Sequence, residues 1–429
     1  MAMQAGIAAA LDADRRHVWH PFTQMSAYHG HERLIERARG NYLFDSDGRA
    51  VFDAASSIWV TVHGHCHPAI ADAIAAQARL LDHATLLGQS NPPSALLAAR
   101  LAALLPASLS KTFYASDGAS AVEAALKIAV QYWHNRGETR ALFVAHERGY
   151  HGDTTGAMSV SGVADFLRPF AGLRFPSVQL AWSPAYLDEL EHTLLARGHE
   201  VAAVAIEPLV QMAGGVKLMP PASLTRAAEL CRAHGVLLIV DEIATGFGRT
   251  GSMFAFEQAQ IVPDIVCLGK SLTGGTLALS ATVVSDDVFD AFLGEPRAAR
   301  HFFHGHSYAG NPIACAAAIA NLDLFTTERS LDHVRAALPQ WHESLDALRR
   351  HPRVADVRRL GFIAGVELRD GLDAASAAPT RAWALCDALW ERGFFVRPVG
   401  PTLLLVPPLS STGEELGGLV SAVSEALDG

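Results

Sequence analysis

No two cysteines in this 429-residue chain stand close enough to suggest a zinc knuckle or a redox pair. Cys66, Cys231, Cys267, Cys315 and Cys386 are odd in number and widely spaced, which fits a reducing compartment rather than a disulfide framework. A basic stripe is missing too. The formal net charge is -10, with acids and bases scattered, so nothing is arranged to neutralise phosphates along a nucleic acid. The amino-terminal MAMQAGIAAALDADRR lacks the basic start of a secretory leader, and its short apolar stretch runs into Asp12 and Asp14. Uncharged stretches such as Ser271 to Ser285 are broken by Gly, Ser and Thr, and none approaches the ~20 continuous apolar residues of a membrane span. Internal repeats and low-complexity linkers are absent. These gaps argue against nucleic-acid binding and membrane insertion, and they set the expectation of a cytoplasmic protein.

The material for a core is ample. Half the residues are hydrophobic and 18% are charged, the balance of a globular enzyme, and the length suits one large and one smaller domain. From about Pro68 to Cys315, Ala- and Leu-rich helical patterns alternate with the short apolar runs KTFYAS, ALFVAH, AAVAIEP, GVLLIVDE and DIVCLG. Strands covered on both faces lose polar alternation, so this rhythm predicts βαβ units and an open α/β sheet, mostly parallel. Chemistry in such sheets gathers at the carboxyl ends of strands, where Gly118, Asp241 and Lys270 fall. Residues 1–67 carry turn signals (Asp45-Ser46-Asp47-Gly48) and read as short strands packing with the carboxyl-terminal part. Residues 68–315 form the large domain. Residues 316–429, with two helical patterns and the runs GFIAGVEL, FFVRP and TLLLVPP, form a second, smaller α/β domain.

Three constellations carry chemistry. GVLLIVDEIATGFGRTG followed by DIVCLGKSLTGG puts Asp241 at one strand end and Lys270 at another, 29 residues downstream. A pyridoxal cofactor needs such a pair: a lysine amine for the Schiff base and a carboxylate to keep the pyridine nitrogen protonated. Lys270 then also serves as the base that moves the substrate proton. On spacing alone, a solvated lysine after a strand fits equally well. The second constellation, FYASDGASAVEAALKIAVQYW, runs from a strand through a small-residue turn into a long helix. There Gly118 and Ala119 let a phosphate approach free N–H groups at the positive end of the helix dipole, although an ordinary capped helix start is also compatible. In the third, RGYHGDTTGAMSVSG, Tyr150 could stack on a flat cofactor, or the segment is a polar turn after a buried strand.

Decoys overlap the same stretch. LGKS resembles the end of a Walker A loop, but the first glycine of GxxxxGK[ST] would fall on Asp264. Gly246, Gly248 and Gly251 spell GxGxxG, yet five residues separate that run from the strand. The histidines His63, His65 and His67, with Cys66, offer HxH spacing for a zinc-dependent hydrolase, a remote reading in a chain with 20 histidines.

Taken together, these segments resemble the class III, fold type I aminotransferases through nearly the whole chain. The resemblance implies a large domain with a mostly parallel sheet, a smaller α/β domain formed by both termini, pyridoxal 5'-phosphate as cofactor, no metal, and a homodimer with shared active sites. Residue by residue it implies that Gly118 and Ala119 hold the phosphate, Tyr150 borders the ring, Asp241 pairs with the pyridine nitrogen and Lys270 anchors the cofactor. Gly305, His306 and Ser307 would reach in from the partner subunit. Arg397 would receive the acceptor's carboxylate, for which a guanidinium fork is suited. Phe22 and Trp59 would border the substrate.

Within the class, HVWHPFTQM, GYHGDTTGAMS, LGKSLTGG and FFHGHSYAGN look like the branch that forms 7,8-diaminononanoate in biotin synthesis, implying 8-amino-7-oxononanoate as acceptor. Another class III omega-amino acid aminotransferase is the alternative. The departures concern the amino donor. Members using S-adenosylmethionine commonly show a Tyr after His-Pro, a Trp-Trp pair, HGPTF and a Tyr near the substrate. This chain has Phe22, Ile58 before Trp59, HGHSY and Leu404. Those changes resemble members that use lysine, so the donor is S-adenosylmethionine or L-lysine.

Overall fold

The computed structural model describes residues 2–183, 185–369 and 381–429. After a helix at Ala2–His17, an antiparallel sheet forms from β1 (Ile35–Arg39), β2 (Tyr42–Asp45) and β3 (Ala50–Phe52). The turn between β2 and β3 is fixed by Asp45, whose carboxylate accepts the N–H groups of Asp47 (3.1 Å) and Arg49 (2.9 Å), the usual reason for an Asp at a turn.

The large sheet contains β4 (Leu109–Ala115), β5 (Leu142–His146), β6 (Val178–Leu180) and β7 (Val201–Ile206). After the short hairpin β8 (Val210–Gln211) and β9 (Lys217–Leu218), it continues with β10 (Leu237–Asp241), β11 (Ile265–Leu268) and β12 (Ser280–Ser285). The order is β4-β12-β11-β10-β7-β5-β6. All five apolar runs became strands. The cores β7, β10 and β11 are buried at every position, as strands covered on both faces should be.

Two strands of this sheet escaped the sequence reading. β6 is three residues long, too short for a periodicity signal. β12, within the uncharged stretch after Lys270, runs antiparallel to both β11 and β4. The connection from Leu268 to Ser280 is too short for a crossover of a dozen or more residues, so the chain must turn back beside β11. Because β12 is reversed against both neighbours, β4 still points the same way as β11, β10, β7 and β5. Their carboxyl ends share one edge.

Beyond the helix Pro312–Thr327, the chain builds β13 (Val354–Leu360), β14 (Ile363–Leu368), β15 (Arg397–Val399) and β16 (Thr402–Leu405), in the order β13-β14-β16-β15. Every pair in this sheet is antiparallel, and β13 was not anticipated. The helices Ser330–Leu348, Arg381–Glu391 and Gly413–Asp428 accompany it. The amino-terminal segment is stitched to this part by backbone bonds from Phe52 N to Gly393 O (2.8 Å), Phe395 N to Phe52 O (2.8 Å) and Val406 N to Ala54 O (2.7 Å). Cys66 is exposed and the other four cysteines are buried; all five are free thiols.

Candidate active site

Three strand ends meet around Ile243. β10 closes on Asp241, β11 leads through Gly269 to Lys270, and β4 leads through Ser116 and Asp117 into the helix Gly118–Asn135. A Cβ at Gly118 would lie 2.9 Å from Ile243 Cγ2, so only glycine lets this turn close on the strand beside it.

Asp241 is buried. Its Oδ1 accepts the N–H of Ile243 (3.1 Å), and its Oδ2 lies 2.7 Å from His151 Nδ1. Burial alone would strip the proton from His151, but its hydrogen bond to Asp241 and the carboxylate's charge hold the imidazole pKa above its ordinary value. Glu207, just past β7, accepts the N–H groups of Tyr150 (2.8 Å) and Met212 (3.4 Å). Desolvation pushes its carboxyl up to about 7, with His151 pulling it down and Asp241 adding to the rise. The sequence reading missed both groups, although Glu207 ends an apolar run just as Asp241 does and His151 follows Tyr150.

Lys270 starts a short turn with its backbone in the left-handed region, φ 44. Part of its side chain remains accessible. Protein nonetheless encloses the amine closely enough that desolvation lowers its pKa to about 8, against the opposing pull of Asp241 and Glu207. The Nζ sits 4.6 Å from the centre of the Trp59 ring. Trp59 ends a run in which Ser56, Ser57, Ile58 and Trp59 all have positive φ (44, 46, 69 and 66), closed by Trp59 N to Ala55 O (2.9 Å) and Val60 N to Ser56 O (2.8 Å). This is one turn of left-handed helix without a glycine, at a cost of roughly 1–2 kcal/mol per residue. Nothing in the sequence SSIW announces it. Next to it, fully buried Arg249 donates to Thr61 O (2.9 Å) and Pro407 O (2.6 Å).

At the helix start, Asp117 caps the N–H of Ser120 (2.9 Å), while the N–H groups of Gly118 and Ala119 have no acceptor among the described residues. Gly152, at φ 123, packs so closely that a Cβ would come within 2.3 Å of Ala119 Cβ. That contact brings the Tyr150 segment against the helix start. The Tyr150 hydroxyl donates to Asp153 (2.7 Å), and burial first and Asp153 second raise its pKa. Its ring meets Phe166 edge-on at 6.1 Å, and Phe166 in turn meets exposed Phe22 at 5.2 Å.

The remaining predicted residues lie further out. Arg397, half-buried in β15, has its guanidinium 5.2 Å from the Trp383 ring and no ion pair or side-chain hydrogen bond among the described residues. The register sets it beside Leu404, which packs in one apolar cluster with Trp59. Gly305, His306 and Ser307 lie in a surface segment whose contacts run towards β4, with His306 5.0 Å from the His304 ring. His306 Nε2 is buried without a hydrogen-bond partner among the described residues. The imidazoles considered for zinc do not converge: His65 faces Asp53 (2.8 Å), whereas His63 and His67 face the two oxygens of Glu328 (3.5 and 2.9 Å).

This fold and this cluster define a pyridoxal-phosphate-dependent transferase. The model for class III aminotransferases matches residues 24–427, and the chain belongs to that family. It is similar to the adenosylmethionine-8-amino-7-oxononanoate aminotransferase of Nitratidesulfovibrio vulgaris, 43% identical over 438 residues that cover 96% of this chain and 80% of the relative. The solved structure of the Methanocaldococcus jannaschii enzyme of that name superposes with a TM-score of 0.94 at 38% identity, covering 98% of this chain and 99% of that one. An amine transaminase from an uncultivated Pseudomonas species, solved with pyridoxal phosphate bound, superposes at 0.89 with 33% identity, covering 96% and 98%. Pyridoxal 5'-phosphate is the cofactor of this aminotransferase.

Proposed function

We propose that this aminotransferase converts 8-amino-7-oxononanoate to 7,8-diaminononanoate for biotin synthesis, as a cytoplasmic homodimer. The observation that carries the reading is the convergence of the Lys270 amine, the Asp241–His151 pair and the open helix start at Gly118 on one sheet edge. The residues fit the cofactor. The free N–H groups of Gly118 and Ala119 suit its phosphate, Asp241 its pyridine nitrogen, Tyr150 the border of its ring and Lys270 its aldehyde. When bound, pyridoxal phosphate supplies the electron sink that lets an amino group and a proton leave the substrate carbon.

The chain's own groups do the rest. His151 keeps Asp241 oriented, and Lys270, already losing its proton near pH 8, takes the substrate proton and returns it. Arg397, which has no ion pair among the described residues, offers its guanidinium to the acceptor's terminal carboxylate. Gly305, His306 and Ser307 complete the partner subunit's site; the orphaned His306 Nε2 and the exposed Leu80, Leu87 and Leu96 support pairing of two copies. The same reading divides the chain into residues 1–67 and 316–429 as the small domain and 68–315 as the large one.

S-adenosylmethionine, named in the relatives' titles, is the first donor reading. L-lysine is the second, favoured by Phe22, Ile58 and Leu404, none of which offers a hydroxyl to an adenosyl group. The test is product formation by the purified protein supplied with 8-amino-7-oxononanoate and each donor. Formation of 7,8-diaminononanoate is expected. Amination of other keto acids without any of this product would instead identify an omega-amino acid aminotransferase.

A further inference from the structure

The left-handed turn at Ser56–Trp59 has no local cause, because none of its residues is glycine and Ile58 is β-branched. Something outside the turn must impose it. Polar contacts to the turn concentrate on Asp53, a fully buried carboxylate just after β3. Its Oδ1 accepts the Ser57 N–H (3.0 Å), and its Oδ2 accepts the Ser57 hydroxyl (2.7 Å) and faces His65 Nε2 (2.8 Å). Such a burial is tolerable only because hydrogen-bond partners surround the carboxyl group. A second anchor, Ser56 Oγ to Val406 O (2.6 Å), ties the turn to the carboxyl-terminal part. The result of this arrangement is the Trp59 ring held over Lys270 Nζ. Relaxing the four residues to right-handed backbone would carry the indole away from the amine.

We propose that Asp53 is a positioning residue for transamination, acting through the left-handed turn that holds Trp59 against Lys270. The inference rests on Lys270 being the reacting amine. Asp53→Asn keeps the shape but replaces the acceptor Oδ2 by an amide donor, so the Ser57 hydroxyl and His65 Nε2, both set against that atom, must reverse their roles or lose the bond. In the cofactor-free protein, hydrogen exchange at the Trp59 and Val60 amides should speed up by at least about tenfold, since both bonds belong to the turn. In the holoenzyme, kcat should fall by roughly ten- to a hundredfold, the range that misplacing a reacting group produces, with a smaller change in KM.

Two further variants separate positioning from general damage. Adding Ile58→Gly should restore both the protection and part of kcat, because glycine takes φ near 69 without steric cost. In a Trp59→Leu background, Asp53→Asn should slow the reaction no further. Unchanged exchange, or additive losses in the double variants, would overturn the proposal. Should Asp53→Asn fail to fold, His65→Phe removes one partner of Oδ2 from outside the turn and is read in the same way. The exchange measurement does not depend on Lys270, so an error in the lysine assignment would remove the kcat effect while leaving the exchange result intact.

Discussion

The lowered pKa of Lys270 makes a prediction that needs no substrate. Desolvation brings the amine to about 8 from an ordinary 10.5. At pH 7 a group of pKa 8 is neutral in about one molecule in ten, and a group of pKa 10.5 in about one in three thousand, so the enclosed amine offers roughly 300 times more nucleophile. The rate at which cofactor-free protein captures pyridoxal phosphate, followed by growth of the visible absorption, should therefore rise about tenfold per pH unit below pH 8 and level off above it. Glu207→Gln removes a carboxylate that raises the Lys270 pKa, so the bend should move to lower pH. A rate still climbing through pH 9 and 10, with no bend near 8, would refute the desolvation argument. A bend that stays in place in the Gln variant would mean that Glu207 is too well screened to act on the amine.

Other outcomes follow from the same geometry. His151→Phe leaves the Asp241 carboxylate buried without its partner and should cost on the order of 3 kcal/mol of stability, measured by urea unfolding of the cofactor-free protein. Because the folded His151 pKa is raised, its ionisation contributes fully below the unfolded value of about 6.5 and is lost as pH rises through the folded value; the Phe variant should lack that pH dependence. Arg397→Ala should weaken the acceptor half-reaction by about 2–5 kcal/mol while sparing the donor half-reaction, and equal damage to both in stopped-flow would contradict a carboxylate-binding role. With acceptor omitted, L-lysine should bleach the cofactor's visible band at least as readily as S-adenosylmethionine, since Phe22, Ile58 and Leu404 leave the adenosyl group without hydroxyl partners. Bleaching by S-adenosylmethionine alone would refute that donor choice.

What the sequence made legible was whatever depends on runs and strand ends. β7, β10 and β11 were readable because both faces are covered, β4 and β5 as short apolar runs, and the strand-end placement of Asp241, Lys270 and Gly118 because they close such runs. β12 was not, since direction is set by the length of a connection rather than by the strand's own residues. His151 and Glu207 sat inside motifs already in view, but their roles depend on tertiary contacts from other strands. The turn at Ser56–Trp59 was illegible for a deeper reason: its handedness runs against local preference and is imposed by Asp53 and Val406, the latter 350 residues away from Ser56.

The central claim is that one particular lysine carries the cofactor, and the composition makes it easy to test. The chain has only four lysines, Lys111, Lys127, Lys217 and Lys270. Lys111 and Lys217 pair with Asp286 and Glu367, and Lys127 reaches the Phe303 carbonyl and His304. Borohydride reduction of the holoenzyme followed by peptide mass spectrometry would fix the cofactor covalently wherever it is bound. The account predicts a phosphopyridoxyl group on Lys270 and on no other lysine; the label on Lys111, Lys127 or Lys217, with Lys270 unmodified, would contradict it.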